Sequence, residues 1–155
     1  MKRRYLLAAT LAPLLGLPLT AMSPSVSAHH AFAAEFDANT PVLLRGKVTR
    51  IEWINPHAWV HIIVQEKEKP AQTWAVEGGT PNTLLRAGIT KDTLKIGTEI
   101  VVRGYQSKDH YCAPTCKANG RDVTFPNGQK LFMGSSGTGA PRDGSDPSEP
   151  PKPNN

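Results

Sequence analysis

The sequence predicts a small, mainly β domain, and three observations lead to that fold class. Between Pro41 and Gly134, Val, Ile, Thr and aromatic residues occur in short runs in which apolar and polar side chains alternate, as they do in β-strands. No long stretch of this segment has apolar residues at helical spacing. Turn-forming residues separate the runs, as in Pro126-Asn127-Gly128. We therefore expect an all-β core with little helix.

The first three predicted strands lie in the first half of this segment. Residues 42–53 form the first strand, and a change in its alternation near Thr49-Arg50 indicates a β-bulge or bend. Residues 58–66 form the second strand, which has apolar residues on both faces, and residues 73–77 form the third. The chain is thus predicted to begin its domain with a long bent strand.

One short helix and three strands complete the prediction. Residues 81–87 read as one or two helical turns that end at Gly88. The last two strands are joined by Asn127-Gly128, a strong hairpin signal. The predicted strands after the helix cover residues 99–105, 121–125 and 129–133.

This order of elements is that of a five-stranded OB-type barrel, in which a helix closes the barrel between the third and fourth strands. The predicted fold is therefore a five- to six-stranded OB-type barrel with one short helix. A small β-sandwich is the alternative, because it requires similar alternation. The placement of the helix and the long bent first strand favour the barrel.

The first 28 residues have the three parts of a secretory signal peptide. Residues 2–4 are basic, residues 5–19 are apolar, and Val26 and Ala28 provide the small residues that predict cleavage after Ala28. The apolar run is short and interrupted for a membrane span, so no span is expected after signal removal. Arg3-Arg4 resembles a twin-arginine signal. The protein is expected in the periplasm or outside the cell, exported by the Sec or twin-arginine route.

Signal removal leaves enough chain for one modest domain. The net charge falls from +5 to +2, because three basic residues leave and no acidic ones do. The remaining charges are interspersed, so nucleic acid is not expected as a partner. Residues 29–40 are interpreted as a lead-in, with a loop over 32–40, and residues 41–134 as the β domain. Residues 135–155 have almost no apolar side chains and predict a disordered tail.

Cleavage after Ala28 would make His29 the first residue of the mature chain. An N-terminal histidine can chelate a metal through its amine and its ring, and a third nitrogen completes a site suited to copper(II). His57 is the candidate third ligand, because Asn55-Pro56 presents it from a turn between two strands. His30 could replace or supplement it. The alternative is structural: solvated histidines, or a His57 that only bonds backbone groups in its turn.

Cys112 and Cys116 are the two cysteines of the chain. In an exported protein their pairing as a disulfide is the expected state. The alternative is a thiolate site in which His110 joins both cysteines to bind copper(I) or zinc.

Several short motifs together resemble the bacterial exported domain of unknown function family 6152, over about residues 29–133. The resemblance implies export and a small β-barrel-like domain, and it supplies no reaction. The loop that contains Cys112 and Cys116 departs from the family pattern. The motifs are His29-His30-x-Phe32, Gly46-x-Val48, Trp53-x-Asn55-Pro56-His57, Trp74-x-Val76, Gly88, Leu94-x-x-Gly97 and Gly104-Tyr105.

Two function classes follow from these residues. The first is a periplasmic carrier or scavenger of a transition metal, most suitably copper, with Glu35 and Asp37 as partners that orient the histidines. The second is a non-catalytic OB-type module that binds a peptide, glycan or envelope protein through Trp59. Trp53, Trp59 and Trp74 could form an aromatic platform or belong to the core. A copper-dependent oxidase is the weaker option, since the sequence shows no catalytic set, and no enzyme is predicted.

Overall fold

The computed structural model describes residues 29–134, with side chains from Phe32 onward. The predicted signal peptide and the predicted disordered tail lie outside this range. The described elements, in chain order, are α1 (His29–Glu35), β1 (Phe36–Glu52), β2 (Trp59–Val64), β3 (Gln72–Glu77), α2 (Pro81–Arg86), β4 (Glu99–Ser107), β5 (Thr115–Thr124) and β6 (Lys130–Phe132).

The strands form one sheet that closes on itself. β1 pairs antiparallel with β2 and β4, β2 with β3, and β4 with β5. A parallel pairing of β3 with β5 closes the ring, and β6 extends β5 as a hairpin partner. Because α2 lies between β3 and β4 in the chain, this is the OB-type arrangement, and the prediction of a barrel is confirmed. The closing pair rules out the sandwich, which needs two separate sheets.

The long first strand bends where the sequence predicted it. Its pairing with β2 changes register between Val48 and Arg50, which confirms the expected bulge. Gly46 lies close to β2, and a Cβ there would lie 2.6 Å from the carbonyl oxygen of Ile63. The bend allows β1 to pair along its length with strands on both sides of the barrel.

Alternate residues of each strand fill the barrel interior. The short helix α2 contributes Leu84, which is fully buried, and Thr80 caps the helix by accepting a hydrogen bond from the Thr83 amide at 3.1 Å. Trp53 and Trp74 pack against this core. The core side chains include Leu44, Val48, Val60, Ile62, Val76, Val102, Ala118, Val123 and Met133.

Two segments differ from the sequence prediction. The loop expected over residues 32–40 is wrong, because the chain forms the end of α1 there and begins β1 at Phe36. Phe32 and Phe36 bury themselves against Tyr105, a contact that no local pattern reveals. β5 begins at Thr115, six residues earlier than predicted, because its first half pairs with β3. The sequence predicted only the helix that corresponds to α2, and α1 is an additional helix.

The described helices are short. None of those within residues 29–134 is long and apolar enough to cross a membrane.

Candidate functional site

His57 lies in the turn between β1 and β2, where its ring is held from one side. Nδ1 lies 3.3 Å from the carbonyl oxygen of Gly78 and 3.4 Å from Oε1 of Glu77. A proton on Nδ1 satisfies these acceptors, so the neutral ring carries its lone pair on Nε2. The side chain is 30% exposed. Nδ1 of the ring is therefore engaged, and Nε2 has no hydrogen-bond partner among the described residues.

Glu77 is a carboxylate that the fold has largely removed from water. The residue is 8% exposed, and burial raises the pKa of its carboxyl group, while the charge of His57 partly opposes that rise. The Nδ2 donor of Asn119 lies 3.5 Å from Glu77 Oε1. Asn119 Oδ1 is buried and has no hydrogen-bond partner among the described residues. This part of the site therefore has more buried acceptors than donors.

The register of the strands shows which residues share the outer face of the barrel with Glu77. Val60, Val76 and Ala118 point into the core, so their neighbours along each strand point outward. Direct cross-strand pairs then define one row of outward residues. In order across the sheet they are Trp59, Glu77, Asn119 and Tyr105.

α1 packs on this outer face through one aromatic cluster. Phe32 meets Tyr105 edge to face with ring centroids 5.5 Å apart, and it meets Phe36 at 5.8 Å. At the end of the helix, the Glu35 carbonyl accepts a hydrogen bond from the Lys108 amide at 2.9 Å. Lys117 Nζ also donates to Glu35 Oε1 at 2.6 Å. These contacts fix both the position and the direction of α1.

The direction of α1 matters for the predicted metal site. Phe32 lies beside Tyr105 and Glu35 lies beside Lys108, so α1 runs in the same direction as β4. The first residue of α1 therefore lies at the end of the face away from Lys108. His29 precedes Phe32 by about 4.5 Å of helix rise. That end of the face is where β3 finishes and where His57 contacts Gly78. The side chains of His29 and His30 are outside the described set, so their role as ligands stays a prediction.

His61, which is not a predicted ligand, and the three tryptophans lie in different environments. His61 lies on β2 between Glu52 Oε1 at 2.8 Å and Arg50 Nη2 at 3.0 Å, in a cluster of charged side chains. Trp59 is half-buried on the outer face, with Lys117 Nζ 5.8 Å from its ring centroid. Trp53 and Trp74 face the core instead, so the three tryptophans do not form one platform.

The cysteines form a disulfide, as predicted. Cys112 and Cys116 are bonded to each other, so neither thiolate is available for the alternative metal site with His110. Gln72 Nε2 donates to the carbonyl oxygens of Cys112 and Pro114 at 3.2 and 3.3 Å, which ties this loop to the start of β3. Among the described side chains, no group of three His, Cys, Asp or Glu residues is placed to hold a metal ion.

The acidic residues near the histidines have roles that the sequence did not reveal. Glu35 pairs with Lys117, and Asp37 closes its own turn by accepting hydrogen bonds from the Asn39 amide and the Thr40 hydroxyl. The hydrogen bond from the Asn39 amide lowers the pKa of the Asp37 carboxyl group. The carboxylate beside His57 is Glu77, which sequence reasoning missed. A carboxylate at the end of a strand gives no sequence signal of its distant partners.

Replacing Glu77 by glutamine is expected to stabilise the metal-free protein at neutral pH. Burial raises the carboxyl pKa in the folded state, so the contribution of Glu77 to stability is present below its unfolded pKa and is lost as pH rises through the raised value. Glutamine does not titrate, and its amide can donate to Asn119 Oδ1. We expect a gain of about 1 kcal/mol at about pH 8 that vanishes near about pH 4.

Urea unfolding of both proteins at the two pH values measures this difference. Glu66→Gln, an exposed carboxylate on the β2–β3 loop, is the control and should change stability little. An E77Q variant that is stabilised equally at both pH values would contradict the raised pKa of the Glu77 carboxyl group.

Three comparisons relate the chain to known proteins. The sequence profile of the family described as "Family of unknown function (DUF6152)" matches residues 17–115. No curated protein matches the chain. Two crystal structures of the mitochondrial single-stranded DNA-binding protein of S. cerevisiae show a similar chain course. The first has a TM-score of 0.43 at 7% identity and covers 62% of this chain and 96% of that one. The second, from selenomethionine-labelled protein, has a TM-score of 0.35 at 8% identity and covers 63% and 97%.

Proposed function

The chain belongs to the family of unknown function DUF6152, and we propose that its barrel binds a transition-metal ion between the mature amino terminus and His57. The observation that carries the proposal is the orientation of the His57 ring. Its Nδ1 faces Gly78 and Glu77, which leaves Nε2 as the binding atom. Histidines that ligate metals commonly donate their other ring proton to a carboxylate or a backbone carbonyl, and His57 has both beside it.

The donor set favours copper. The proposed ligands are the amine and ring of His29 and the Nε2 atom of His57, with His30 as an additional or substitute donor. Nitrogen donors of this kind bind copper(II) more tightly than the other common divalent metals of the first transition row. A bound copper(II) ion would supply a positively charged centre held by nitrogen ligands. The residues of this chain would orient those ligands, with Glu77 Oε1 and the Gly78 carbonyl beside Nδ1 of His57.

The docking of α1 supports the same assignment. A free amino terminus would lose much conformational entropy on closing a chelate with a distant histidine. Here Phe32 and Glu35 hold the helix against the barrel, so the backbone near His29 is already restricted. A partly ordered ligand binds with a smaller entropic cost.

We propose binding as the role, in a carrier or scavenger. The second function class, a module that binds a peptide, glycan or envelope protein through Trp59, has less support. The Trp59 ring is half-buried, and Lys117 lies within cation–π distance of it.

Copper titration of three proteins is the test. The processed protein that begins at His29 should bind copper(II) about a hundredfold more tightly than a version with Gly-Ser before His29 or a His57→Ala variant, because each change removes a nitrogen ligand. Isothermal titration calorimetry in a buffer with a competing chelator measures the affinities.

His110→Ala is the matched control, since His110 is exposed on the disulfide loop, away from the proposed ligands. Equal affinity for the processed and extended proteins would eliminate the amine as a ligand. Unchanged copper affinity in the His57→Ala variant would eliminate His57 as a ligand.

A further inference from the structure

A cleft lies on the outside of the barrel where β1 passes from β4 to β2, apart from the face on which α1 packs. Its volume is about 680 Å³, which falls within the range of small-molecule sites in proteins. β1 crosses the middle of the cleft, because Gly46 pairs with Val64 of β2 on one side and with Ile100 of β4 on the other. Ala71 from the β2–β3 loop and Pro126 after β5 line its two sides.

The floor of the cleft is cationic at its centre. Leu44 and Val48 belong to the core, so the side chains of Arg45 and Lys47 between them project outward. Both residues line the cleft, and both are exposed. Alternate residues of a strand are about 7 Å apart, so two positive charges stand side by side in one concavity. A concave site of one charge sign concentrates the electrostatic potential and attracts ions of opposite charge.

One carboxylate lines the cleft beside these two cations. Glu99 pairs directly with Lys47 across the sheet, and its Oε1 atom lies 3.7 Å from Lys47 Nζ. Arg45 has no ion pair within the part of the chain whose side chains are described, residues 32–134. The lining therefore keeps a net positive charge. The planar donors of the Arg45 guanidinium match the two oxygens of a carboxylate.

The aliphatic surface of the cleft is divided into small patches. Ile63, which is 39% exposed, pairs with Lys47 on one side of β1. Val101, which is half-buried, pairs with Arg45 on the other side. The two cations stand between these aliphatic side chains, so the cleft has no continuous apolar floor. A ligand that fits must therefore carry small apolar patches and polar groups close together.

Uncharged polar groups complete the lining. Gln65 Nε2 donates to the carbonyl oxygens of Glu66 and Lys69 at 3.0 and 2.6 Å, so Gln65 Oε1 is left to accept a hydrogen bond from a ligand. Thr124, which pairs with Val101, adds a half-buried hydroxyl group. These groups match the hydroxyl groups of a polar ligand.

The backbone and the aromatic content of the cleft oppose two other ligand classes. At Gly46 both edges of β1 are already paired, so a peptide cannot add there as a further strand. Phe125 is the aromatic residue among the described lining residues, and it is 8% exposed because it belongs to the barrel core. A nucleic-acid base would need an exposed ring on which to stack.

We propose that this cleft binds an acidic oligosaccharide, a short chain of uronic acid units. Carboxylates of neighbouring units pair with Arg45 and Lys47, and a sugar hydroxyl group donates to Gln65 Oε1. The C–H faces of the rings pack on Ile63 and Val101. A sugar ring carries small apolar faces between polar groups, so it matches walls on which aliphatic and charged side chains alternate. The site is independent of the proposed metal site, with which it shares no residue.

Binding of trigalacturonate to the metal-free protein, followed by the amide signals in an NMR titration, tests the proposal. The amide signals of residues 45–47, 63–65 and 99–101 should shift. Maltotriose, a neutral sugar of the same length, should bind at least about tenfold more weakly, because it has no carboxylate for the two cations. Citrate should also bind more weakly, because it has the charges but no sugar ring to pack on the aliphatic walls.

Charge-removing variants identify the groups that recognise the sugar. Arg45→Gln and Lys47→Gln should each weaken trigalacturonate binding about fivefold, since each removes one exposed ion pair. Added salt should weaken binding to the native protein more than binding to the double variant. Lys95→Gln, which removes an exposed cation outside the cleft, is the matched control and should bind as the native protein does. Circular dichroism verifies that each variant is folded.

Several results would overturn the proposal. They are the absence of trigalacturonate binding, equal affinity for maltotriose or for citrate, and an Arg45→Gln variant that binds the sugar as the native protein does. Amide shifts confined to residues 57–59 and 77–79 would place the sugar on the other face of the barrel and would also overturn it. None of these outcomes bears on copper binding.

Discussion

Replacing Gly104 by alanine is expected to destabilise the domain by about 4 kcal/mol or more, among the larger effects that one methyl group can have. A Cβ at this position would lie 2.0 Å from the carbonyl oxygen of Asn119 and 3.0 Å from its carbonyl carbon. Both atoms belong to the backbone of β5, which is itself fixed by pairing with β3 and β4. The clash therefore cannot be relieved by a side-chain rotation, and β4 must separate from β5.

Urea unfolding followed by far-ultraviolet circular dichroism measures this loss. Gly97→Ala is the matched control, because Gly97 has a φ of +87° and a Cβ added there would have no atom within 4 Å. It should cost about 1–2 kcal/mol through backbone strain alone. A Gly104→Ala protein no less stable than Gly97→Ala would mean that the close approach of β4 and β5 is wrong.

Replacing Phe32 by alanine is expected to release α1 from the barrel while the barrel stays folded. Phe32 is 4% exposed, and removal of a buried phenylalanine ring costs about 3–5 kcal/mol of packing. The exposed ion pair between Glu35 and Lys117 contributes about 1 kcal/mol at most. A helix of this length is not stable by itself in water. The barrel remains because its core is a cluster separate from that of Phe32, Phe36 and Tyr105.

Two measurements follow the release of α1. Hydrogen exchange should become fast in α1 and at the start of β1 while β2 and β3 keep their protection. If the proposed metal site is correct, the processed Phe32→Ala protein should also bind copper(II) about tenfold more weakly, although no ligand has changed. Ala34→Ser, on the exposed side of the same helix, is the control. Slow exchange throughout α1 in Phe32→Ala would show that other contacts hold the helix.

The elements that the sequence predicted well are those defined by neighbouring residues. The alternation in β2 and the Asn127-Gly128 turn depend on side chains within a few positions of one another. The turn has the expected left-handed glycine, with φ of +81° at Gly128. The disulfide could be predicted because Cys112 and Cys116 had no other partners in the chain. The break in the pattern near Arg50 marked the bulge for the same local reason.

The candidate site was predicted only in part. The turn at Asn55-Pro56 and the position of His57 between two strands were readable, because turn chemistry is local. The contact of His57 with Glu77 joins residues that are far apart in the chain, and the contact of Glu77 with Asn119 spans a still longer separation. Neither separation has a period or a motif that marks it in a single sequence.

The sequence by itself determined the strand pattern, the barrel as the favoured fold and the candidate ligand His57. Only the tertiary structure decided that α1 exists, that β5 begins at Thr115, and that Glu77 orients the His57 ring. The physical reason is the range of the interactions. Alternation and turns arise from neighbouring residues, whereas α1 is held by burial of Phe32 on Tyr105 and β5 is extended by pairing with β3. The stabilisation from this burial and this strand pairing is gained only after distant parts of the chain have come together.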